Sequence, residues 1–474
     1  MPPTERLVIV GGDAAGMSAA AQARRLRGPD ELEIVAFERG AHTSYSACGI
    51  PYWVSDTVSG PDALVARSPA EHRARGVDVR TRTEVVELDL PGRRVRTRAA
   101  GERDGSGGGE ARESWTSYDR LVLATGARPI RPDLPGADAP GVHCVQTLGD
   151  GEALLRTLAE VERRPEPRHA VVVGAGYIGV EMAEALALRG YRVTVLDKAD
   201  QPMTTLDPDM GELVRDAMAG MGINTVTGAG MTGVETGEDG LPRAVLTEDD
   251  RHPADVVVLG LGVRPETTLA AAAGLPLGAS GGLLTDLGMR VRGRTDVWAG
   301  GDCVEVLNLV SGQPGHVPLG THANKHGQVI GTNAAGGYAT FPGVVGTAVS
   351  RVCDLEIART GLLEAQAREA GLRFVTTSVT ATSRSGYFPG ARPMTVKMLA
   401  ERRTGRLLGV QIVGREGAAK RVDVAAVALT AKLTVEQMTS LDLGYAPPFS
   451  PVWDPVLAAA RKAAAAAVRE AGPD

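Results

Sequence analysis

The order strand, glycine turn, helix, strand, acid occurs twice in this chain, and few folds can accommodate it. The first copy runs from Leu7-Val8-Ile9-Val10 through Gly11-Gly12-Asp13-Ala14-Ala15-Gly16 to Ile34-Val35-Ala36-Phe37 and the acid Glu38. The second runs from Ala170-Val171-Val172-Val173 through Gly174-Ala175-Gly176-Tyr177-Ile178-Gly179 to Val193-Thr194-Val195-Leu196 and the acid Asp197. Glycines at Gly11, Gly12 and Gly16, and at Gly174, Gly176 and Gly179, let backbone N–H groups approach a pyrophosphate at the helix N-terminus, where the helix dipole favours an anion. An acid about 20 residues beyond such a turn accepts hydrogen bonds from ribose hydroxyls. Asp13 stands where the middle glycine of the first turn belongs, so its carboxylate is expected to point away from phosphate or to accept local N–H groups. A chain that holds two dinucleotides is built to move electrons between them.

At 474 residues the chain has room for two or three domains, each with its own core. A net charge of −6 without a basic stripe argues against nucleic acid as a partner. No apolar run approaches the roughly 20 residues that span a bilayer, and the N-terminus opens into a strand, so a soluble cytoplasmic protein is expected. The four cysteines, Cys48, Cys144, Cys303 and Cys353, form no CxxC pair and signal neither a disulfide framework nor a metal site. Gly101–Gly109 reads as a flexible hairpin tip, and the proline-and-charge stretch 163–168 as the entry to the second unit. That unit closes at Asp255–Pro265, and Val297–Cys303 returns the chain to the first domain. Beyond about 342, strands near Arg373–Val379, Met394–Leu399 and Leu407–Val413 suggest a separate α+β domain, and the alanine-rich last dozen residues a fraying helix or disorder.

The whole chain from about 5 to 460 resembles the FAD- and NAD(P)-dependent pyridine nucleotide–disulfide oxidoreductases. The two turns, Ala124–Pro129, Gly260–Pro265 and Ala299–Asp302 carry the general resemblance. Ser44–Tyr52, which contains Cys48, and Tyr445-Ala446-Pro447-Pro448-Phe449 are similar to the subgroup with a single active cysteine, typified by coenzyme A–disulfide reductases, persulfide reductases and NADH oxidases. The resemblance implies an α/β fold with two Rossmann-like domains, the NAD domain (147–275) inserted into the FAD domain (1–146 and 276–341), followed by an α+β dimerisation domain (342–474). It implies FAD contacts from Gly11, Gly12, Ala15, Gly16, Glu38, Arg39, Val85, Ala124, Thr125, Gly126 and Asp302. The nicotinamide cofactor would be met by Gly174, Gly176, Tyr177, Ile178, Gly179, Glu181, Asp197 and Gly262. Asp197 favours NADH, and Lys198 beside it leaves NADPH as a second donor.

Disulfide reduction needs a thiolate that attacks through a mixed disulfide. Cys48 has no internal partner, because the position five residues earlier, where related two-cysteine motifs hold one, is Thr43. It must borrow a partner from a small thiol or cycle through sulfenic acid. A lone cysteine is ordinarily a small buried hydrophobe; the polar, glycine-bearing loop just after a nucleotide turn argues for a redox role. The other three cysteines read as packing residues. The resemblance implies that electrons pass from NADH through FAD to a Cys48–coenzyme A mixed disulfide. Coenzyme A contacts would come from Gln22, Arg25, Ser44, Arg75 and Asn324, with the solvated helix face an equal alternative for Arg24, Arg25 and Arg27. Tyr387 and Tyr445 would reach the site from the second subunit of a homodimer and protonate the departing thiolate; the family's Tyr-Tyr pair is Tyr387-Phe388 here. Two other outcomes stay open. One is an NADH oxidase or peroxidase, disfavoured because Ala14 stands where those enzymes carry histidine. The other is an electron-carrying or quinone-reducing flavoprotein. His322 and His326 flank Asn324 without any metal-binding spacing.

Overall fold

The two apolar strands that open each glycine turn become inner strands of parallel sheets, as continuous Val/Ile/Leu runs do when both faces are covered. In the computed structural model, which describes residues 4–99, 112–164 and 167–470, the first sheet has the order Val297–Ala299, Arg120–Leu123, Glu5–Val10, Leu32–Phe37, Asp78–Arg80. Leu7, Val8 and Ile9 are fully buried in it. The second sheet runs Asn224–Thr227, Arg192–Asp197, His169–Val173, Val256–Leu259, Val142–Cys144. Because Val297–Ala299 pairs parallel with Leu121–Leu123 after the whole second sheet has been built, the second unit is an insertion in the first.

We draw the passage between the two units at the antiparallel pair Ala127–Pro129 and Val263–Pro265. Val142–Cys144 pairs with Val257–Leu259, so the second sheet takes strands from both sides of residue 147. Ala270, on the helix Thr268–Ala272, packs into the first core. The Gly101–Gly109 run lies outside the described residues. Among the described residues, no helix is long and apolar enough to cross a membrane.

The helix after the first turn, Ala14–Leu26, packs closely on Gly320–Ala334. Glycines four apart put a smooth stripe on the second helix. A Cβ at Gly327 would lie 2.5 Å from the Ala15 carbonyl oxygen, and one at Gly331 2.5 Å from that of Ala19.

The third domain is an antiparallel sheet in the order Ala348–Val352, Leu355–Gly361, Leu407–Gly414, Pro393–Glu401, Phe374–Thr382. The helices Ala418–Thr430 and Pro455–Glu470 cover it. Here the expectation of a fraying or disordered tail is corrected for the described residues. Ala459, Ala460 and Ala463 are fully buried, and Ala466 and Ala467 nearly so, because small side chains let this helix lie directly on strands 374–382 and 393–401. A buried lysine joins this domain to the second unit: Lys397 Nζ meets Asp209 at 2.6 Å, Glu364 at 2.8 Å and Asp207 at 3.1 Å. Gln411 Nε2 also donates to Asp207.

Gly331→Ala should force the helices Ala14–Leu26 and Gly320–Ala334 apart and cost about 1–3 kcal/mol, read as a lower midpoint of thermal unfolding. Gly220→Ala, at a helical position where a Cβ meets nothing within 4 Å, should be neutral or stabilising in the same measurement.

Candidate active site at the seam of the nucleotide units

The loop that carries Cys48 is fastened on one side to the first glycine turn. Ser44 N–H donates to the Gly12 carbonyl at 3.1 Å, and Tyr45 N–H donates to Asp13 Oδ1 at 3.2 Å. Asp13 thus accepts a local N–H, one of the two outcomes expected for it; burial first, then nearby Glu38, pushes its carboxyl up to about 6 against that hydrogen bond. Ser44 adopts φ 48°, a left-handed conformation that costs a non-glycine residue energy and marks a constrained loop.

On the other side the chain turns at Gly49, where a Cβ would come within 2.2 Å of Leu64 Cδ2, and enters the helix Ile50–Val54. Ile50, Trp53 and Val54 are buried in one core with Leu154, Val180, Met182 and Leu186 of the second unit. Cys48 therefore lies between the two nucleotide units and is exposed.

Three domains shape the electrostatics around this sulfur. Although the residue is exposed, protein packed about the thiol desolvates it, and this raises its pKa most; the carboxyls of Glu181 and Asp302 raise it further. Glu181, on the helix Tyr177–Leu188, is itself pushed up by burial and held by the Ser350 hydroxyl, which donates to its Oε1 at 2.7 Å. Ser350 belongs to the third domain, on strand Ala348–Val352. Tyr52, four residues beyond Cys48, is pushed up by burial and then by Glu181, so its phenol stays protonated at neutral pH.

The residues at both turns fit a bound dinucleotide. A Cβ at Gly11 would lie 2.0 Å from the Ala124 carbonyl oxygen and one at Gly16 2.0 Å from that of Gly11; at Gly174 and Gly179 the corresponding distances, to Gly260 and Gly174, are 2.4 and 1.9 Å. Strand, turn and helix are thus as close as backbones can come. Neither helix N-terminus carries a side-chain cap, so first-turn N–H groups remain as donors for a pyrophosphate. The space beside Gly176 is open. Glu38 accepts from Gly12 N–H at 2.7 Å and Gly40 N–H at 2.6 Å; Asp197 accepts from Ala175 N–H at 2.6 Å and Ala199 N–H at 2.8 Å. Each acid is therefore fixed by backbone donors at its strand end, beside the glycine turn.

Thr125 Oγ1 donates to the Glu266 carbonyl at 2.5 Å, and Glu266 N–H to the Gly126 carbonyl at 2.9 Å, which ties the strand end after Ala124 to the crossing chain near Gly262. The turn before Asp302 is held by His326, whose Nδ1 accepts from Gly301 N–H at 3.1 Å; burial lowers this imidazole to about 3, so it stays neutral. Val85 is buried in the first core and Arg39 is exposed just past Glu38.

The coenzyme A candidates fall into two groups. Ser44 shares a 3.0 Å hydrogen bond with His72 Nε2; burial, then Arg67 and Arg75, depresses that histidine to about 4. Gln22 and Asn324 instead join the packed helices, through Thr332 Oγ1 at 3.0 Å and Ser18 Oγ at 2.8 Å. Arg25 is exposed, whereas Arg24 donates to the carbonyls of Gly76 and Leu32, and Arg27 pairs with Glu5. Two of the three arginines are thus structural. Tyr387 and Tyr445 are exposed on the third domain, 78% and 49%. Sequence reading overlooked His72 and Ser350. The Ser68–Glu71 capping box, legible as S-x-x-E, could have placed His72 on a helix, though not against Ser44; nothing local marks Ser350, whose partner lies 169 residues away.

Comparison with known proteins agrees with this geometry. Residues 5–327 match the family model for pyridine nucleotide-disulphide oxidoreductase, and residues 347–455 the model for its dimerisation domain. The chain is 35% identical over 462 residues to the NAD(P)H coenzyme A polysulfide/persulfide reductase of Pyrococcus horikoshii, covering 96% of this chain and 98% of that one. It is 33% identical to the NADH oxidase of Methanocaldococcus jannaschii, covering 97% and 98%. An NAD-dependent persulfide reductase from A. fulgidus superposes with a TM-score of 0.90 at 37% identity, covering 97% of this chain and 83% of that structure.

Because Glu181 raises the Cys48 thiol, Glu181→Gln should speed alkylation of Cys48 at pH 8 in the apoprotein, and the pH midpoint of alkylation should fall. Peptide mass spectrometry against time, following Cys48 alone, measures both.

Proposed function

As the chain belongs to the pyridine nucleotide-disulphide oxidoreductase family and is an NAD(P)H-dependent oxidoreductase of the flavoprotein class, we propose that it reduces coenzyme A disulfide or a related per- or polysulfide through Cys48. One observation carries this reading: an exposed, unpaired sulfur lies at the seam of two nucleotide units, with Thr43 where a resolving cysteine would stand. Bound FAD would supply the two-electron relay between nicotinamide and sulfur. It would be held by the Gly11–Gly16 turn, Glu38 and the Ala124–Gly126 strand end, with Asp302 beside it; NAD(P)H would be held by the Gly174–Gly179 turn and Asp197.

The Cys48 thiolate attacks one sulfur of the substrate, forms a mixed disulfide and expels the other sulfur as a thiolate, which takes up a proton. Two electrons then break the mixed disulfide, return Cys48 as thiolate and release the second sulfur as a thiolate, which takes up a proton to become the second thiol. Ser44 and Arg75 beside His72, and Arg25 with Gln22 and Asn324 on the helix pair, are the side chains we assign to the coenzyme. Arginine suits this because its fork donates pairwise to phosphate. The chain would act as a homodimer through its third domain, where Tyr387, Tyr445, Phe449, Val452 and Trp453 are exposed; a second copy would bring Tyr387 and Tyr445 to Cys48.

The name of the Methanocaldococcus relative favours a second reading, reduction of oxygen through a Cys48 sulfenic acid. Ala14, inside the first glycine turn, has no proton to contribute to it.

Cys48→Ser should retain FAD yet lose turnover of coenzyme A disulfide and of polysulfide, and dithiothreitol should release about one coenzyme A per subunit from purified protein. Undiminished turnover in the serine variant would overturn the proposal, and oxygen uptake outpacing disulfide turnover would support the second reading. Asp197→Ala should narrow the NADH over NADPH preference in kcat/KM by about fivefold, the scale of one partly exposed charge contact; an unchanged ratio removes the acid from the ribose.

A further inference from the structure

We propose that Arg421 is a positioning residue for proton delivery, holding in register the two loops that carry Tyr387 and Tyr445. This rests on the reading above, in which those tyrosines serve the Cys48 of a second copy. Neither tyrosine sits on a helix or strand. Tyr387 lies in the connection between strands Phe374–Thr382 and Pro393–Glu401, and Tyr445 in the segment leading to the helix Pro455–Glu470. A phenol on such a loop donates a proton efficiently only if its backbone is held, since a misplacement of about 1 Å costs up to about 100-fold.

Arg421, on the helix Ala418–Thr430, supplies that hold, and its side chain is only 12% exposed. Its Nη2 donates to the carbonyls of Ser383 and Phe449, both at 2.8 Å, and so bridges the loops directly. Nε donates to Asp454 Oδ2 at 2.9 Å, and Nη1 to the Gly417 carbonyl at 2.8 Å. The loops are also stitched to each other: Ser385 N–H donates to the Pro447 carbonyl at 3.1 Å and the Ser385 hydroxyl to the Ser450 carbonyl at 3.5 Å. Ser383, Ser385 and Ser450 are all buried, whereas Tyr387 and Tyr445 are exposed. The base of each loop is therefore anchored while its aromatic residue is presented outward. Only a planar guanidinium offers donors in the fixed directions that three carbonyls and a carboxylate on three chain segments require.

The leaving group provides the test. When a coenzyme A sulfur departs, the S–S bond breaks, its electron pair goes with the sulfur, and a phenol proton delivered there turns an alkyl thiolate into a thiol. An aromatic disulfide releases a far more acidic thiol, which departs as thiolate unaided. Arg421→Met should thus lower kcat for coenzyme A disulfide by about 10- to 100-fold, while turnover of an aromatic disulfide, flavin content and dimer size in solution stay within about twofold of the wild type. Arg421→Lys, which keeps the charge but loses the fork, should show the same selectivity more weakly and serves if the methionine variant folds poorly. Equal loss on both disulfides would make the clamp merely structural and overturn the proposal. So would unaltered coenzyme A disulfide turnover in Arg421 variants when Tyr387→Phe or Tyr445→Phe is impaired. If neither tyrosine variant is impaired, the role of the tyrosines has failed, and the clamp has nothing to position.

Discussion

The burial of one short helix, Ile50–Val54, organises the rest of this molecule. Its sequence neighbours belong to the first nucleotide unit, yet Ile50, Trp53 and Val54 bury their apolar surface in the core of the second. Burial of side chains this large contributes about 1.5–3 kcal/mol each, so the link is strong. A residue in the turn just before such a helix cannot drift relative to either unit. Cys48 is that residue, held from behind by the Ser44 and Tyr45 hydrogen bonds to the first turn.

The third domain completes this arrangement by charge and hydrogen bonding. Ser350 holds the carboxyl of Glu181, and Lys397 is shared among Asp207, Asp209 and Glu364 across the boundary with the second unit. An ammonium buried to this degree is tolerated only because carboxylates surround it. Through Ser350 the third domain thus fixes one of the carboxyls, Glu181, that raise the Cys48 thiol.

Much of this was legible in the chain, for reasons that are local. Unbroken apolar runs stand at Leu7–Val10 and Ala170–Val173, and the glycines at the ends of those strands have one use when an acid follows at the right distance. That Glu38 and Asp197 stand at the end of the second strand of each unit, beside the glycine turn, was legible because this position is set within a single βαβ unit. The alanine-rich end was misread because alanine carries too little hydrophobicity to reveal a buried face, although its small volume is what lets the helix approach the sheet. His72, Ser350 and Arg421 escaped notice for the opposite reason: their partners come from distant segments, and contacts of that kind leave no period or spacing in the sequence. The Arg24, Arg25 and Arg27 set shows the limit within one helix, where only the tertiary partners Gly76, Leu32 and Glu5 separate structural arginines from the exposed Arg25.

The intrusion of Ile50–Val54 also bears on how such proteins can diversify. A recombination event that swapped the inserted unit for that of a distant relative would deliver a mismatched socket for Ile50 and Trp53, and the reactive loop would lose its footing even with every nucleotide contact intact. Residues 43–65 and the socket around Leu154, Val180 and Leu186 are therefore expected to be inherited together, as one evolutionary module that crosses the boundary between the two folds.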